Sequence, residues 1–572
     1  MKLRPISSTA LSLFAAMFML VFHNVPFFRT LAEQYPLKDH FIFVSSVLIL
    51  TGSIIALPLI LASYRVVAKP VLITVLLVSA VTSFYSFQYG TVYDMQMIQN
   101  VFETNVSESL ELVTFKSALW VLILGLIPSI VVAYMPLAKS SIRHQIAMCF
   151  KTTLAILIVM VAILATQGKS YASFFREHKP IREMVNPIFP IYSVVKTIEK
   201  QVFTYDQPIA EIGQGAHTPP EDDNRELIIL VIGETVRSDH LSLNGYPRNT
   251  MPRLSQESVI SFPNVWACAT STAASVPCMF SILGHGEFNR NQANHTENVL
   301  DVLSKSGVNV LWRDNNSDSK HAADRIAYED FKTPERNPVC DPECRDIGML
   351  DGLQDYIDSH KTGDILIVLH QMGNHGPGYY KRYPSDFEVF TPVCNTSELS
   401  DCSDEEITNA YDNALVYTDY FLSEVLNVLK ANDGSFEAGL VYLSDHGESL
   451  GEKGIYLHGL PYAIAPESQL NVAMLMWFGQ HYEIDVQGLS QAATASLSHD
   501  NLFHILLGLF EVSSDVYNSD MDITAPYRSE YDVPPSSTLN GSATHEALSA
   551  EQEQPTQYSQ SQKAERGHGT PQ

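Results

Sequence analysis

The chain has 572 residues, with 36 Lys and Arg against 63 Asp and Glu, a formal net charge of −27. Phosphate backbones need basic surface, so no nucleic-acid partner is expected. With 46% hydrophobic and 10% aromatic residues, the chain is not of disordered type, and its length accommodates several domains.

The apolar residues are concentrated before Thr166. Stretches at about 9–28, 41–62, 70–89, 118–137 and 151–167 have the length and apolarity of membrane spans. A cleaved signal peptide would account for the first, behind Lys2 and Arg4, but not for the others. Lys2 and Arg4, then Arg65 and Lys69, then Lys139, Arg143 and Lys151 fall on one side of these spans. The positive-inside rule makes that side cytoplasmic and puts everything after Lys169 outside the cytoplasm. The opposite loops carry Glu33, Asp39, Asp94, Glu103, Glu108 and Glu111 against Arg29, Lys38 and Lys116.

Residues 1–168 thus read as a membrane domain. From 169 to 224 an aromatic and basic stretch reads as an interfacial segment, followed by an acidic Gly/Pro linker. A globular domain is expected at 225–535, and the polar stretch 536–572 reads as a disordered tail. Six of the seven cysteines form local pairs, Cys268/Cys278, Cys340/Cys344 and Cys394/Cys402. In an extracytoplasmic domain this spacing predicts three short-loop disulfides. Cys149, beside the fifth span, is left as a free thiol.

Within the globular domain, continuous apolar runs end at Glu234, near Asn316, at His375 and at Glu448. Interleaved with helical segments such as 412–429, they predict buried strands of a mainly parallel α/β sheet. Sites in such sheets form beyond the carboxyl ends of the strands. Glu234 and Asp445-His446 end two runs and supply the oxygen and nitrogen donors that zinc takes in a catalytic site. His370 lies within an apolar run and reads as structural, whereas His375 and His458 sit in Gly/Pro loops and read as functional. The segment CATSTAASVPCMFSILG opens a helix. A hydroxyl there faces backbone N–H groups and the positive dipole end, which favour an incoming phosphate. Thr270, Ser271, Thr272 and Ser275 all compete for that role, and each is equally a capping residue.

The runs GETVRSDHLSLNGYPRNTMP, CATSTAASVPCMFS, WRDNNSDSK, MGNHGPGYYKRYP, AYDNALVYTD and YLSDHGESLGEKGIYLHGLPY follow one another behind the spans. In that order they resemble the phosphoethanolamine transferases, and most closely the lipid A-modifying type that includes the mobile colistin resistance proteins. The resemblance extends from the first span to about residue 530. It implies an N-terminal five-helix transmembrane domain in a bacterial inner membrane and a periplasmic α/β domain of the alkaline phosphatase/sulfatase-like fold.

The resemblance further implies that Thr272 is the nucleophile. Glu234, Asp445 and His446 then hold one tightly bound Zn2+, with Thr272 in the remaining position. His375 and His458 match histidines that meet substrate phosphate or a second zinc during turnover. Ser317 and Lys320 match positions for the phosphoethanolamine group. Asn100, Thr104 and Glu108 match polar residues on the lipid-substrate side, and their spacing of four places them on one helical face. Asp239 and Asp314 are left as structural. The tight Cys340/Cys344 pair departs from the family pattern, which has a longer loop there. The implied reaction moves phosphoethanolamine from phosphatidylethanolamine to a phosphate of lipid A through a phosphoethanolamine-threonine intermediate. It releases diacylglycerol, confers resistance to polymyxin and colistin, and is expected of a monomer. Transfer to a core sugar or another periplasmic glycan, and hydrolysis by a superfamily phosphodiesterase or sulfatase, are the rival readings.

Overall fold

The computed structural model describes residues 4–104, 106–177, 179–203, 208–218, 224–341 and 343–528. The tail expected from 536 lies outside them, as does the side chain of Glu108.

The apolar N-terminal sequence forms helices α1 (Ser8–Phe22), α2 (Val25–Gln34), α3 (Leu37–Leu61) and α4 (Ala68–Tyr89). Two short helices follow, α5 (Met95–Glu103) and α6 (Val106–Glu111). Then α7 (Phe115–Trp120) runs through a π-helical turn into α8 (Ile127–Tyr134), and α9 spans Ile142–Glu177. Among the described residues four helical segments are long and apolar enough to cross a membrane, and the pair α1/α2, bent by 55°, makes a fifth when taken as one broken span.

That bend corrects the reading of 9–28 as one uninterrupted run. The Asn24 side chain donates to Met19 O (3.0 Å) and Asn186 O (2.7 Å), leaving the helical path. Pro26 then sits in the first turn of α2, where its missing N–H is no loss. The last span also begins earlier than 151, because hydropathy marks only the apolar stretch whereas helical hydrogen bonding starts at Ile142. The segment 169–224 is partly helical, with α10 (Lys179–Glu183) and α11 (Ile188–Phe203). α11 exposes Ile191, Tyr192, Val195 and Ile198 along one stripe, as a helix lying on a bilayer surface would.

The second domain is built on β1 (Glu226–Gly233), β2 (Ile260–Trp266), β3 (Asn309–Asp314), β4 (Ala327–Asp330), β5 (Ile365–His370) and β6 (Glu437–Ser444). After these come a small ribbon, β7 (Ser449–Leu450) with β8 (Tyr456–Leu457), and then β9 (Asn471–Phe478) and β10 (Leu497–Ser498). The main sheet has the order β10-β2-β9-β6-β1-β5-β3-β4. It is parallel from β6 to β4, with β9 antiparallel to β2 and β6. Both faces are buried: Ile228, Leu230 and Ile232 enter one core, and Leu227, Ile229 and Val231 the other. This double burial is why the strands read as continuous apolar runs.

The register decides where the chemistry lies. Gly233 pairs with Ser444, Ile232 with His370, and His370 with Asp314. Four strands therefore end side by side, and the residues just beyond them, Glu234, Asp445, Gln371 and Asn316, converge at one edge.

Candidate active site

Helix α12 (Thr272–Met279) points its N-terminus at that edge. Thr272 Oγ1 donates to Glu234 Oε2 at 3.1 Å and lies 3.4 Å from His446 Nε2. His446 Nε2 is 3.4 Å from both Glu234 Oε1 and Asp445 Oδ2. Glu234, Asp445 and His446 are fully buried, and ligand atoms from the three lie within 4.8 Å of one another.

The electrostatics of this cluster call for a cation. His446 Nδ1 contacts Gly447 O at 2.9 Å, and a carbonyl only accepts, so Nδ1 carries the proton. Burial, with His458 nearby, holds the His446 pKa well below its ordinary value, so the ring is neutral. Nε2 therefore aims a lone pair at two carboxylates. Lone pair facing lone pair is unfavourable in a buried site without a cation or a proton between them, and this set of two carboxylates and an imidazole would suit Zn2+.

The structure separates the competing hydroxyls. Thr270 Oγ1 donates to Leu460 O, Ser271 Oγ to Asn100 Oδ1, and Ser275 Oγ is held by the Ala269 backbone. Thr272 is the member of the set that meets Glu234. His499 fixes this placement: its Nδ1 accepts from Cys268 N (3.1 Å) and its Nε2 donates to Ser444 O (2.9 Å), tying the α12 approach to the end of β6.

A cavity of about 60 Å³ opens over Thr272, lined by Ser317, Lys320, His375 and His458 on one side and by Asn100, Glu103 and Thr104 on the other. Lys320 Nζ donates to Ser317 O at 2.7 Å. His375 is pushed down to about 3 by loss of solvation, with Arg382 and His458 adding to the effect. Asn100 and Thr104 come from the membrane domain and lie one turn apart on the same side of α5, as their spacing predicts, but the helix does not continue to Glu108, which belongs to α6. α5 ends at Glu103, and Thr104 is extended with its hydroxyl bonded back to Asn100 O (2.6 Å). His370, Asp314 and Asp239 take structural places. His370 Nδ1 meets Asp314 Oδ2 at 2.9 Å, and Asp239 pairs with Arg237. The cysteine pairs 268–278, 340–344 and 394–402 are all bonded.

Three site residues were not singled out from sequence. Asn316 Nδ2 donates to Glu234 Oε2 and Gln371 O, both at 2.7 Å. Glu448 Oε2 holds His458 Nδ1 at 2.7 Å, and His446, Glu448 and His458 form a second cluster able to hold a metal. Glu103 lines the reaction cavity while paired with Arg290 at 2.7 Å. The available signals were adjacency to Ser317 in WRDNNSDSK and to His446 in SDHGE; Glu103 carried none.

Residues 226–512 match the sulfatase family, and residues 51–202 match the family described as phosphoethanolamine transferase EptA/EptB. The chain is 41% identical over 530 residues to phosphatidylethanolamine transferase Mcr-1 of Escherichia coli, covering 90% of this chain and 96% of that one. It is 38% identical over 523 residues to phosphoethanolamine transferase EptA of Escherichia coli strain K12, covering 89% and 95%. Among solved structures, the integral membrane lipooligosaccharide phosphoethanolamine transferase A (EptA) of Neisseria meningitidis superposes with a TM-score of 0.87 at 31% identity, over 92% of this chain and 100% of that one.

Proposed function

The chain belongs to the phosphoethanolamine transferase family, and from that premise we propose that it moves phosphoethanolamine from phosphatidylethanolamine to a phosphate of lipid A. The observation that carries this reading is the position of Thr272. Its hydroxyl stands between a buried Glu-Asp-His cluster and a cavity whose far wall, Asn100 and Thr104, belongs to the membrane domain. A diacyl donor can keep its tails in the bilayer while its headgroup reaches Thr272. We read 1–168 as the membrane domain, 169–224 as the interfacial connection and 225–535 as the catalytic domain, in the periplasm of a cell whose inner membrane holds the spans.

Glu234, Asp445, His446 and Thr272 would hold one Zn2+, which when bound lowers the pKa of the threonine hydroxyl and offsets negative charge on the phosphoryl group. Thr272 Oγ1, whose proton points at Glu234 Oε2, attacks phosphorus. The Oγ–P bond forms as the P–O bond to diacylglycerol breaks, and diacylglycerol leaves with a proton. A phosphate oxygen of lipid A then attacks the phosphothreonine, the P–Oγ bond breaks, and Oγ1 takes up a proton to regenerate the Thr272 hydroxyl. Lys320 and Ser317 line the space for the phosphoethanolamine group. His458 commits Nδ1–H to Glu448 and so presents Nε2 to accept or return a proton. His375 faces the same cavity, where the two histidines would stabilise the phosphoryl charge or help hold a second Zn2+.

Mass spectrometry of lipid A from cells with and without the gene tests the reading. Phosphoethanolamine on a lipid A phosphate is expected, with raised resistance to colistin because the added amine reduces negative surface charge. Modification of a core sugar or another glycan alone would overturn the acceptor. Headgroup release to water alone would overturn transfer in favour of hydrolysis.

A further inference from the structure

The loop after β5 carries His375 and returns across it. Seven residues on, Arg382 Nε donates to His375 O at 2.6 Å. Between them, Tyr379 Oη donates to Glu448 Oε1 at 2.5 Å, and Glu448 in turn holds His458. One loop thus braces both histidines of the cavity.

Arg382 has only 2% of its side chain exposed and sits between two carboxylates. Glu343, inside the Cys340–Cys344 loop, takes Nη1. The other carboxylate comes from the membrane domain: Glu111, at the end of α6, takes Nη2 at 2.7 Å and reaches Lys381 Nζ at 3.1 Å. Glu111 lies so close to the loop backbone that a Cβ on Gly378 would meet its Oε2 at 3.2 Å. A guanidinium is a rigid planar fork, so a force on Nη2 reorients Nε as well. A buried arginine that loses one of two carboxylates is left with uncompensated charge and moves toward other partners.

We propose that Glu111 is a positioning residue for the transfer reaction, acting through Arg382 to set the loop that carries His375. The inference rests on the proposed role of His375. The membrane domain then supplies more than an anchor and a cavity wall, because docking of its α5–α7 segment completes the catalytic geometry. Other ion pairs, Arg290–Glu103 and those of Lys116 with Asp401 and Glu398, dock the same segment without touching the His375 loop.

The test uses the full chain in nanodiscs containing phosphatidylethanolamine and lipid A. Glu111→Gln should lower kcat about tenfold, as expected for a sub-ångström misplacement, with donor KM and zinc content near wild type. Glu111→Asp should recover part of the loss. Lys116→Ala, which breaks a docking pair elsewhere, should leave kcat within about twofold, the size of an exposed ion-pair effect. Combined with His375→Ala, Glu111→Gln should add no further loss. Multiplying losses in the double variant, or equal losses in Glu111→Gln and Lys116→Ala, would overturn the inference alone. Wild-type turnover in His375→Ala would overturn the role of His375 and this inference with it. If Glu111→Gln does not fold, Glu111→Asp takes its place in the same comparisons.

Discussion

Thr272 and Glu234 are 38 residues apart in the chain, yet the threonine hydroxyl donates to the glutamate Oε2 at 3.1 Å. Glu234 arrives there from the end of β1, and Thr272 from the first turn of α12, so the contact joins a sheet edge to a helix N-terminus. Both places favour phosphoryl chemistry, the one by supplying a metal-binding carboxylate and the other by its aligned N–H groups.

The first prediction concerns the nucleophile. Incubation with phosphatidylethanolamine and no acceptor should place phosphoethanolamine on the peptide containing Thr272, as read by mass spectrometry. Thr272→Ala should abolish the adduct and reduce transfer by about 10³-fold or more, while Thr272→Ser should retain some of both. An adduct on Thr270, Ser271 or Ser275 would refute the assignment.

Metal content supplies the second. Alanine at Glu234, Asp445 or His446 should remove tightly bound zinc from the purified protein. Asn316→Ala deletes a hydrogen bond that orients Glu234, and should weaken zinc affinity by about 10–100-fold, the usual range for such supporting residues. Zinc titration with a competing chelator measures both, and stoichiometric zinc in all the alanine variants would count against the site.

A third prediction follows from Asp314. Burial opposes its ionisation, but His370, the hydrogen bond from that ring, and Lys332 outweigh burial and hold the carboxyl well below the usual carboxylate range. A carboxylate with a depressed folded-state pKa stabilises the protein above its unfolded pKa of about 3.9, and that contribution is lost as pH falls through the folded value. Asp314→Asn should therefore cost about 1–3 kcal/mol near neutral pH, with a smaller deficit below pH 4. Melting curves of chelator-treated wild type and variant across that range give the sign. A deficit that grows on acidification would contradict it.

Topology gives the fourth. A reporter enzyme active only in the periplasm should work when fused after Gln201 and fail when fused at Ala68. The reverse pattern would overturn the orientation read from Arg65, Lys69, Lys139, Arg143 and Lys151.

The Cys394–Cys402 bridge supports a fifth. Its loop carries Asp401, the partner of Lys116. Replacing both cysteines by serine should destabilise the protein by about 2–3 kcal/mol on loop-closure grounds, visible as a lowered Tm. An unchanged Tm would show that the loop is held by its other contacts.

The amino-acid sequence by itself determined the membrane spans, the parallel strands and the strand ends at which Glu234 and Asp445-His446 stand. Those features are local. Burial on both faces writes a strand as an unbroken apolar run, the bilayer does the same for a span, and metal-binding residue types stand out wherever such a run stops. Residue types left Thr270, Ser271, Thr272 and Ser275 open, and only the family resemblance picked out Thr272; the fold supplies the physical reason, since which hydroxyl meets Glu234 follows from how α12 approaches the sheet. Tertiary structure alone brought in Asn316 and Glu448, which meet Glu234 and His458 only through strand register and loop folding. It broke the first span at Asn24, whose partner Asn186 is 162 residues away. It also gave Glu103 and Glu111 a second meaning. In sequence they are acidic residues on the outer side of a membrane, whereas in the fold they pair with Arg290 and Arg382. An ion pair between domains leaves no periodicity in either partner's neighbourhood, because its two halves come together only after each domain has folded.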